Sequence, residues 1–307
     1  MNVPDAVAAA KHRARELHDS RASGRLVARE LSAAMDEIVC LIAEESVAEL
    51  GEAARGQIWC VVALGGWGRG ELCPASDLDL LLLHRRQSET VEKLARGLFY
   101  PLWDAQLDVG HGVRTVAQCL SVSTLDLASR TALLDARLIA GQPVLAEELR
   151  RGILKQLRRG QGEGFFRALA NEREERHRRF SADACRLEPN LKDGPGGLRD
   201  VHGMGWALRV LAEIRAAERR PSPEPSPDES PETAQAADFI TRLRNHLHFV
   251  AGRRTDQLLA RHQAEAAQFM GFADEAELLE AVWVHMDVIR TAAEALWPRL
   301  GKSRGWR

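Results

Sequence analysis

A single stretch, VVALGGWGRGELCPASDLDLLLLH from Val61 to His84, constrains this chain more than any other. An apolar run ends at Gly65-Gly66, a loop carrying Gly68, Arg69 and Gly70 follows, and Asp77-Leu78-Asp79 opens a second apolar run. Short runs rich in Val and Leu, bounded by Gly and Pro, predict two strands joined by a loop. Side chains alternate along a strand, so Asp77 and Asp79 share one side while Leu78 and Leu80 face a core. Two carboxylates held together at the edge of an apolar core repel by several kcal/mol at an effective dielectric of about 20, unless a proton or a cation relieves them. A divalent metal does this, and Mg²⁺ favours carboxylate oxygens together with substrate phosphates. Gly65 and Gly66 let backbone N–H groups approach a triphosphate, with Ser76 beside the carboxylates and Arg69 offering a charge-assisted contact.

The bulk properties set the context for that segment. A chain of 307 residues, 45% hydrophobic and 28% charged, is an ordinary globular sequence for which two domains are the natural expectation. Its formal net charge of -2 carries no basic excess, so nucleic acid is not expected as a partner and any phosphate must be held by local charge. The five cysteines (Cys40, Cys60, Cys73, Cys119, Cys185) stand singly, without the spacing of a disulfide framework or a zinc site, which suits a reducing cytoplasm. The N-terminal sequence becomes charged before a signal-peptide core can form, and no 18-residue apolar run occurs later, so neither secretion nor membrane insertion is expected.

Along the chain, apolar residues recur at helical spacing from Asp5 to about Ala54, with Gly24 and Gly51 as breaks, and predict two helices. Strands follow at Ile58 to Leu64, Leu78 to Leu83 and Leu107 to Val113, with a helix from about Ser88 to Ala105. Beyond about Thr124 the pattern is helical, near 124–140, 143–158, 162–180, 197–218, 234–251 and 273–298. The fold class is therefore α+β, with a small sheet and its helices over residues 1–142 and a helical bundle over 143–307. Residues 219–234, RRPSPEPSPDESPETA, are rich in Pro, Ser and Glu and predict a linker inside the helical half.

The motif GG-W-GRGEL-x-P-x-SDLDLLLL resembles the signature of the DNA polymerase β-type nucleotidyltransferase superfamily, and more narrowly its PII uridylyltransferase branch. Trp67 stands where that branch carries Tyr. The resemblance implies a small mixed sheet with helices and a third carboxylate from a later strand, for which Asp108 in LDVGHGVRT is the candidate and Asp104 its rival. Arg114 on the same strand would steady phosphate charge, and His111 has a structural role only. Two later segments resemble the same branch. One is LEPNLKDGPGGLRDVHGMGW, where Gly194 to Gly197 leads into a helix whose N-terminus, flanked by Lys192 and Arg199, suits an anion. The other is LRNHLHFVAGRRTD, in which Gly252 ends a helix and Arg253, Arg254 and Asp256 project from the turn.

The resemblance implies transfer of UMP from UTP to a tyrosine of the PII nitrogen-regulatory signal protein, with release of pyrophosphate. Asp77, Asp79 and Asp108 would hold two Mg²⁺ ions, or Mn²⁺ in their place. Gly65, Gly66, Arg69, Ser76, Arg114, Lys192 and Arg199 would hold the nucleotide, and His177, Arg178 and the segment around Asn190 would line its base. Members of the family continue into an HD hydrolase domain; the only His-Asp dipeptide here is His18-Asp19, so uridylyl-removing activity is expected to be absent. Two alternatives stand beside this reading: a different donor such as ATP with another protein, a small molecule or RNA as acceptor, and a non-catalytic module that binds PII or nucleotide.

Overall fold

The computed structural model describes residues 2–180, 184–217 and 230–302, and the chain divides into two units, Met1–Ser20 with Leu26–Lys155 and Arg21–Arg25 with Gln156–Arg307. In the first unit the helices are α1 (Val3–Asp19), α2 (Gly24–Leu50), a short α3 (Glu52–Arg55) and a single turn α4 (Gly65–Gly68). They are followed by α5 (Glu89–Asp104), α6 (Val116–Val122), α7 (Leu127–Leu134) and α8 (Pro143–Gln156). The strands are β1 (Trp59–Ala63), β2 (Leu78–His84), β3 (Val109–Arg114) and β4 (Arg137–Gly141). They form one mixed sheet in the order β3-β2-β1-β4, with β1 antiparallel to β2 and β4, and β2 parallel to β3.

Local chemistry explains most of these elements. β1 is buried along its whole length, as are Leu80 to Leu83 of β2, so both strands read as continuous apolar runs of a central sheet. Helix α5 starts where the Ser88 hydroxyl accepts the Val91 N–H at 3.3 Å. It buries Val91, Leu94, Leu98, Phe99 and Leu102, the spacing of one apolar helix face.

Two expectations are corrected. The stretch near 124–140 is not one helix: α7 ends at Asp135, and Arg137 to Gly141 form β4 against β1. The uncovered edge of β1 supplies a long-range hydrogen-bonding partner that outweighs the local helical pattern. The linker ends sooner than expected, because Ser230 caps α12 (Pro231–Ala251), its hydroxyl accepting the Thr233 N–H at 3.2 Å with Pro231 in the first turn. The rest of that stretch, residues 218–229, lies outside the described residues, as does the Cys185 side chain.

The second unit is helical, comprising α9 (Gly162–Arg179), α10 (Ala184–Leu187), α11 (Leu198–Ala217), α12, α13 (Ala260–Met270) and α14 (Glu275–Lys302). Residues 21–25 join it through the Arg25 N–H on Asp238 at 2.8 Å and the Asn245 side-chain amide on the Gly24 carbonyl at 3.0 Å. No helix among the described residues is long and apolar enough to cross a membrane.

Candidate active site

The glycine loop joins β1 to β2 and begins as the single turn α4. Its chain reverses with the Gly68 N–H on the Leu64 carbonyl at 2.9 Å and the Arg69 N–H on Gly65 at 3.1 Å. The N–H groups of Gly65 and Gly66 head that turn and have no acceptor within it. Ser76 closes the far end, its hydroxyl accepting the Cys73 N–H at 3.3 Å.

The carboxylates follow the alternation read from the sequence. Leu78 and Leu80 are buried, whereas Asp77, just before β2, and Asp79 within it are half-buried. Asp79 lies opposite Gly110 of β3, and a Cβ at Gly110 would collide with Asp79 Oδ1. On its other side, a Cβ at Gly65 would stand 3.3 Å from Asp79 Oδ2. The Asp79 carboxylate thus fills the space that side chains at 65 and 110 would take, which places it directly against the glycine loop.

The parallel register locates the remaining expected residues. The Leu78 N–H donates to the Asp108 carbonyl at 2.8 Å, so Asp108 stands at the entry to β3 beside Asp77. Paired residues of parallel strands present their side chains to the same face, and Asp108 precedes Gly110 by two, so Asp77, Asp79 and Asp108 share one face of the sheet. Arg114 has the same parity, and its Nε lies 3.9 Å from where a Cβ at Gly112 would be. His111 takes the opposite face, between the rings of Phe99 and Trp103 with centroids 5.1 Å away in each case, a structural role. Asp104 is exposed at the end of α5. Among the described residues no three His, Cys, Asp or Glu side chains gather into a metal-holding group.

Arg69 does not project from the loop. Its Nη1 donates to Asp135 Oδ2 at 2.5 Å and its Nε to Glu71 Oε2 at 2.7 Å. Trp67 is buried, with its indole N–H on Asp36 Oδ1 at 2.9 Å. Arg137 grips Asp36 with two bonds of 2.6 and 3.1 Å and also donates to the carbonyls of Trp67 at 3.1 Å and Gly68 at 3.2 Å. Asp36, Asp135 and Arg137 were not singled out in the sequence, and no local pattern marks them, because they lie 31 to 101 residues from their loop partners or from each other. Gly110 had a visible signal in the unusual Gly-His-Gly of β3.

The second unit holds Lys192 and Arg199. Lys192 Nζ is 4.0 Å from Asp256, and burial followed by the charge of Arg244 pushes its ammonium below the ordinary lysine range. Arg199 Nε is 3.4 Å from Asp193. The start of α11 is closed by the chain itself. The Gly196 N–H donates to Asp200 Oδ2 at 2.8 Å, and the N–H groups of Gly197 to Asp200 meet carbonyls of Gly194, Leu191, Lys192 and Gly197. The anion at that helix start is therefore the chain's own Asp200. Asp200 also receives Arg176 at 2.7 Å and His177 at 2.9 Å, so His177 braces a helix junction. Burial alone would raise the Asp200 carboxyl, but the His177 hydrogen bond and the Arg176 charge hold it down at about 2. Asn190 Oδ1 accepts the Lys192 and Asp193 N–H groups at 3.1 and 2.7 Å. Gly252 ends α12 in the left-handed conformation as expected, with Arg253 and Arg254 exposed. Asp256 instead turns inward to Arg244 at 2.6 Å, and against the effect of burial the His248 hydrogen bond and the Arg244 charge keep it well below the usual carboxylate range.

Comparison with known proteins gives this arrangement its context. The GlnD PII-uridylyltransferase profile matches residues 164–297, and the DUF294 nucleotidyltransferase profile matches residues 8–108, which include the glycine loop and all three carboxylates. A bifunctional uridylyltransferase/uridylyl-removing enzyme of Phenylobacterium zucineum is 36% identical over 269 residues, 86% of this chain and 29% of that protein. The chain is thus similar to PII-uridylyltransferases over residues 164–297 and to a nucleotidyltransferase family over residues 8–108. Relatives of the same description include those of Cereibacter sphaeroides, 38% identical over 76% of this chain and 25% of the relative, and Azospirillum brasilense, 35% identical over 84% and 28%. The chain thus spans under a third of the length of these curated relatives.

Proposed function

We propose that this chain transfers UMP from UTP to a tyrosine hydroxyl of the PII signal protein and releases pyrophosphate. The observation that carries the reading is the Asp79 carboxylate seated between Gly65 and Gly110, on the same face as Asp77 and against a glycine loop. Similarity to a PII-uridylyltransferase profile and to uridylyltransferase relatives supports the choice of PII as acceptor, and UTP is the donor that uridylyl transfer calls for.

Hard carboxylate oxygens beside a glycine loop fit Mg²⁺, or Mn²⁺ in its place. Asp77 and Asp79 would hold one such ion and share a second with Asp108, which by adding a ligand would complete the set. When bound, such ions neutralise charge on the phosphates and on the departing pyrophosphate. The N–H groups of Gly65 and Gly66 would take triphosphate oxygens, with Arg114 adding positive charge. The tyrosine oxygen forms the new bond to the α-phosphorus, the α–β phosphoanhydride bond breaks, and its electron pair leaves with pyrophosphate. Asp108, at the strand entry, would accept the phenolic proton. Most of the rate enhancement would come from positioning and charge placement.

We assign this stretch of chain transfer without removal, since His18-Asp19 lies in α1 with His18 buried. We also assign it to the cytoplasm, where thiols such as the buried Cys60 and Cys119 stay reduced. The test uses purified protein, Mg²⁺, labelled UTP and PII, compared with an Asp77→Asn, Asp79→Asn double variant. Labelling should fall on the order of 10³-fold in the variant, and equal labelling by both proteins defeats the proposal. Substitution of ATP, CTP or GTP should give weaker labelling, and a preference for ATP would move the donor assignment.

A further inference from the structure

We infer that the corner between α7 and β4, Asp135 to Arg137, is a positioning device for nucleotide binding: Arg137 acts through the carbonyls of Trp67 and Gly68, and through Asp36, to set where Gly65 and Gly66 stand against Asp79. The inference rests on the proposed function, because it takes the glycine loop to be the nucleotide cradle. Four glycines between positions 65 and 70 leave the loop little stiffness of its own, so its shape must be imposed from outside. The corner imposes it at two points. Asp135 takes the Arg69 guanidinium at 2.5 Å, and the Asp135 carbonyl occupies the place that a Cβ on Gly68 would need. Arg137 then donates to two consecutive loop carbonyls, at 3.1 and 3.2 Å, while its other bonds go to Asp36. Asp36 closes the circuit by accepting the indole N–H of the buried Trp67 at 2.9 Å.

This arrangement differs from ordinary core packing in what it touches. The Arg137 side chain is 37% exposed, so its bonds order loop backbone more than they fill the interior. A planar guanidinium can serve Asp36 and two carbonyls together, whereas an ammonium on a flexible stem cannot hold the same fork. Arg69 belongs to the same clamp and acts as a strut for the loop.

The test compares wild type with Arg137→Gln and Arg137→Lys, and with Arg85→Gln, which removes an ion pair to Glu148 at the end of β2 away from the loop. Steady-state transfer from UTP and hydrogen exchange of residues 64–72 are measured on each protein. In Arg137→Gln the KM for UTP should rise at least tenfold while kcat stays within threefold, and the loop amides should exchange faster. Arg137→Lys should fall between that variant and wild type, and Arg85→Gln should change neither readout. An unchanged KM in a folded Arg137→Gln protein, or a loss of rate that only tracks the unfolded fraction, overturns the inference. If the wild type transfers no nucleotide, the functional reading falls by itself, and the clamp is then judged on exchange alone: unchanged loop exchange in Arg137→Gln overturns it.

Discussion

Two glycine-rich turns, one in each unit, look alike in sequence and behave differently in the fold. The Gly65 to Gly70 loop leaves the N–H groups of Gly65 and Gly66 without an acceptor in their own turn and faces a half-buried carboxylate. The Gly194 to Gly197 turn is closed: its N–H groups from Gly196 onward are already bonded, and a Cβ on Gly196 would collide with the Met286 carbonyl. Glycine thus serves close approach to a ligand in one place and close approach of the chain to itself in the other. What separates the two is where the nearest carboxylate sits. Asp79 stands across from its loop with Asp77 on the same face, whereas Asp200 lies inside its turn and caps it.

Three substitutions or conditions probe this contrast. The largest effect should come from Gly196→Ala, which meets backbone at a left-handed φ of 78°. It should cost about 3 kcal/mol or more of stability, read by urea unfolding, and a near-neutral result would show that the second turn is not closed. Gly110→Ala should do the opposite, displacing the Asp79 carboxylate and lowering transfer activity by about 10²-fold while thermal stability changes little. Normal activity in that variant would remove Asp79 from the cradle. The smallest effect is a pH dependence. Asp200 titrates at about 2 in the fold against an ordinary 3.8, so its contribution is fully present above about 4 and is lost as pH falls through 2. The shift corresponds to on the order of 2 kcal/mol, and unfolding of wild type should lose that much more than Asp200→Asn between pH 5 and 2. Parallel curves for the two proteins would mean that Asp200 does not hold the second turn.

Much of the fold was legible because its signals are local. The Leu-rich run of β2, the apolar face of α5 and the alternation of Asp77 and Asp79 about Leu78 each follow from a period of two or of 3.6 residues. Helix α6 lies outside the expected helices: at seven residues it is short for a hydrophobic period, and its local signal is the capping box of Thr115 and Gln118. Asp256 was expected to project from its turn, and nothing in GRRTD announces that Arg244 of the preceding helix will draw it inward.

The strand, the glycine loop, the carboxylate pair and the small sheet followed by helices are all readable in the order of residues. Those features reside in contiguous residues whose covalent spacing fixes their geometry. The existence of β4, the bracing of its own loop by Arg69, and the hold of Asp36, Asp135 and Arg137 on the glycine loop emerge only in the folded chain. Each of those depends on hydrogen bonds between residues 31 to 101 positions apart, which form only after the sheet has brought distant segments together.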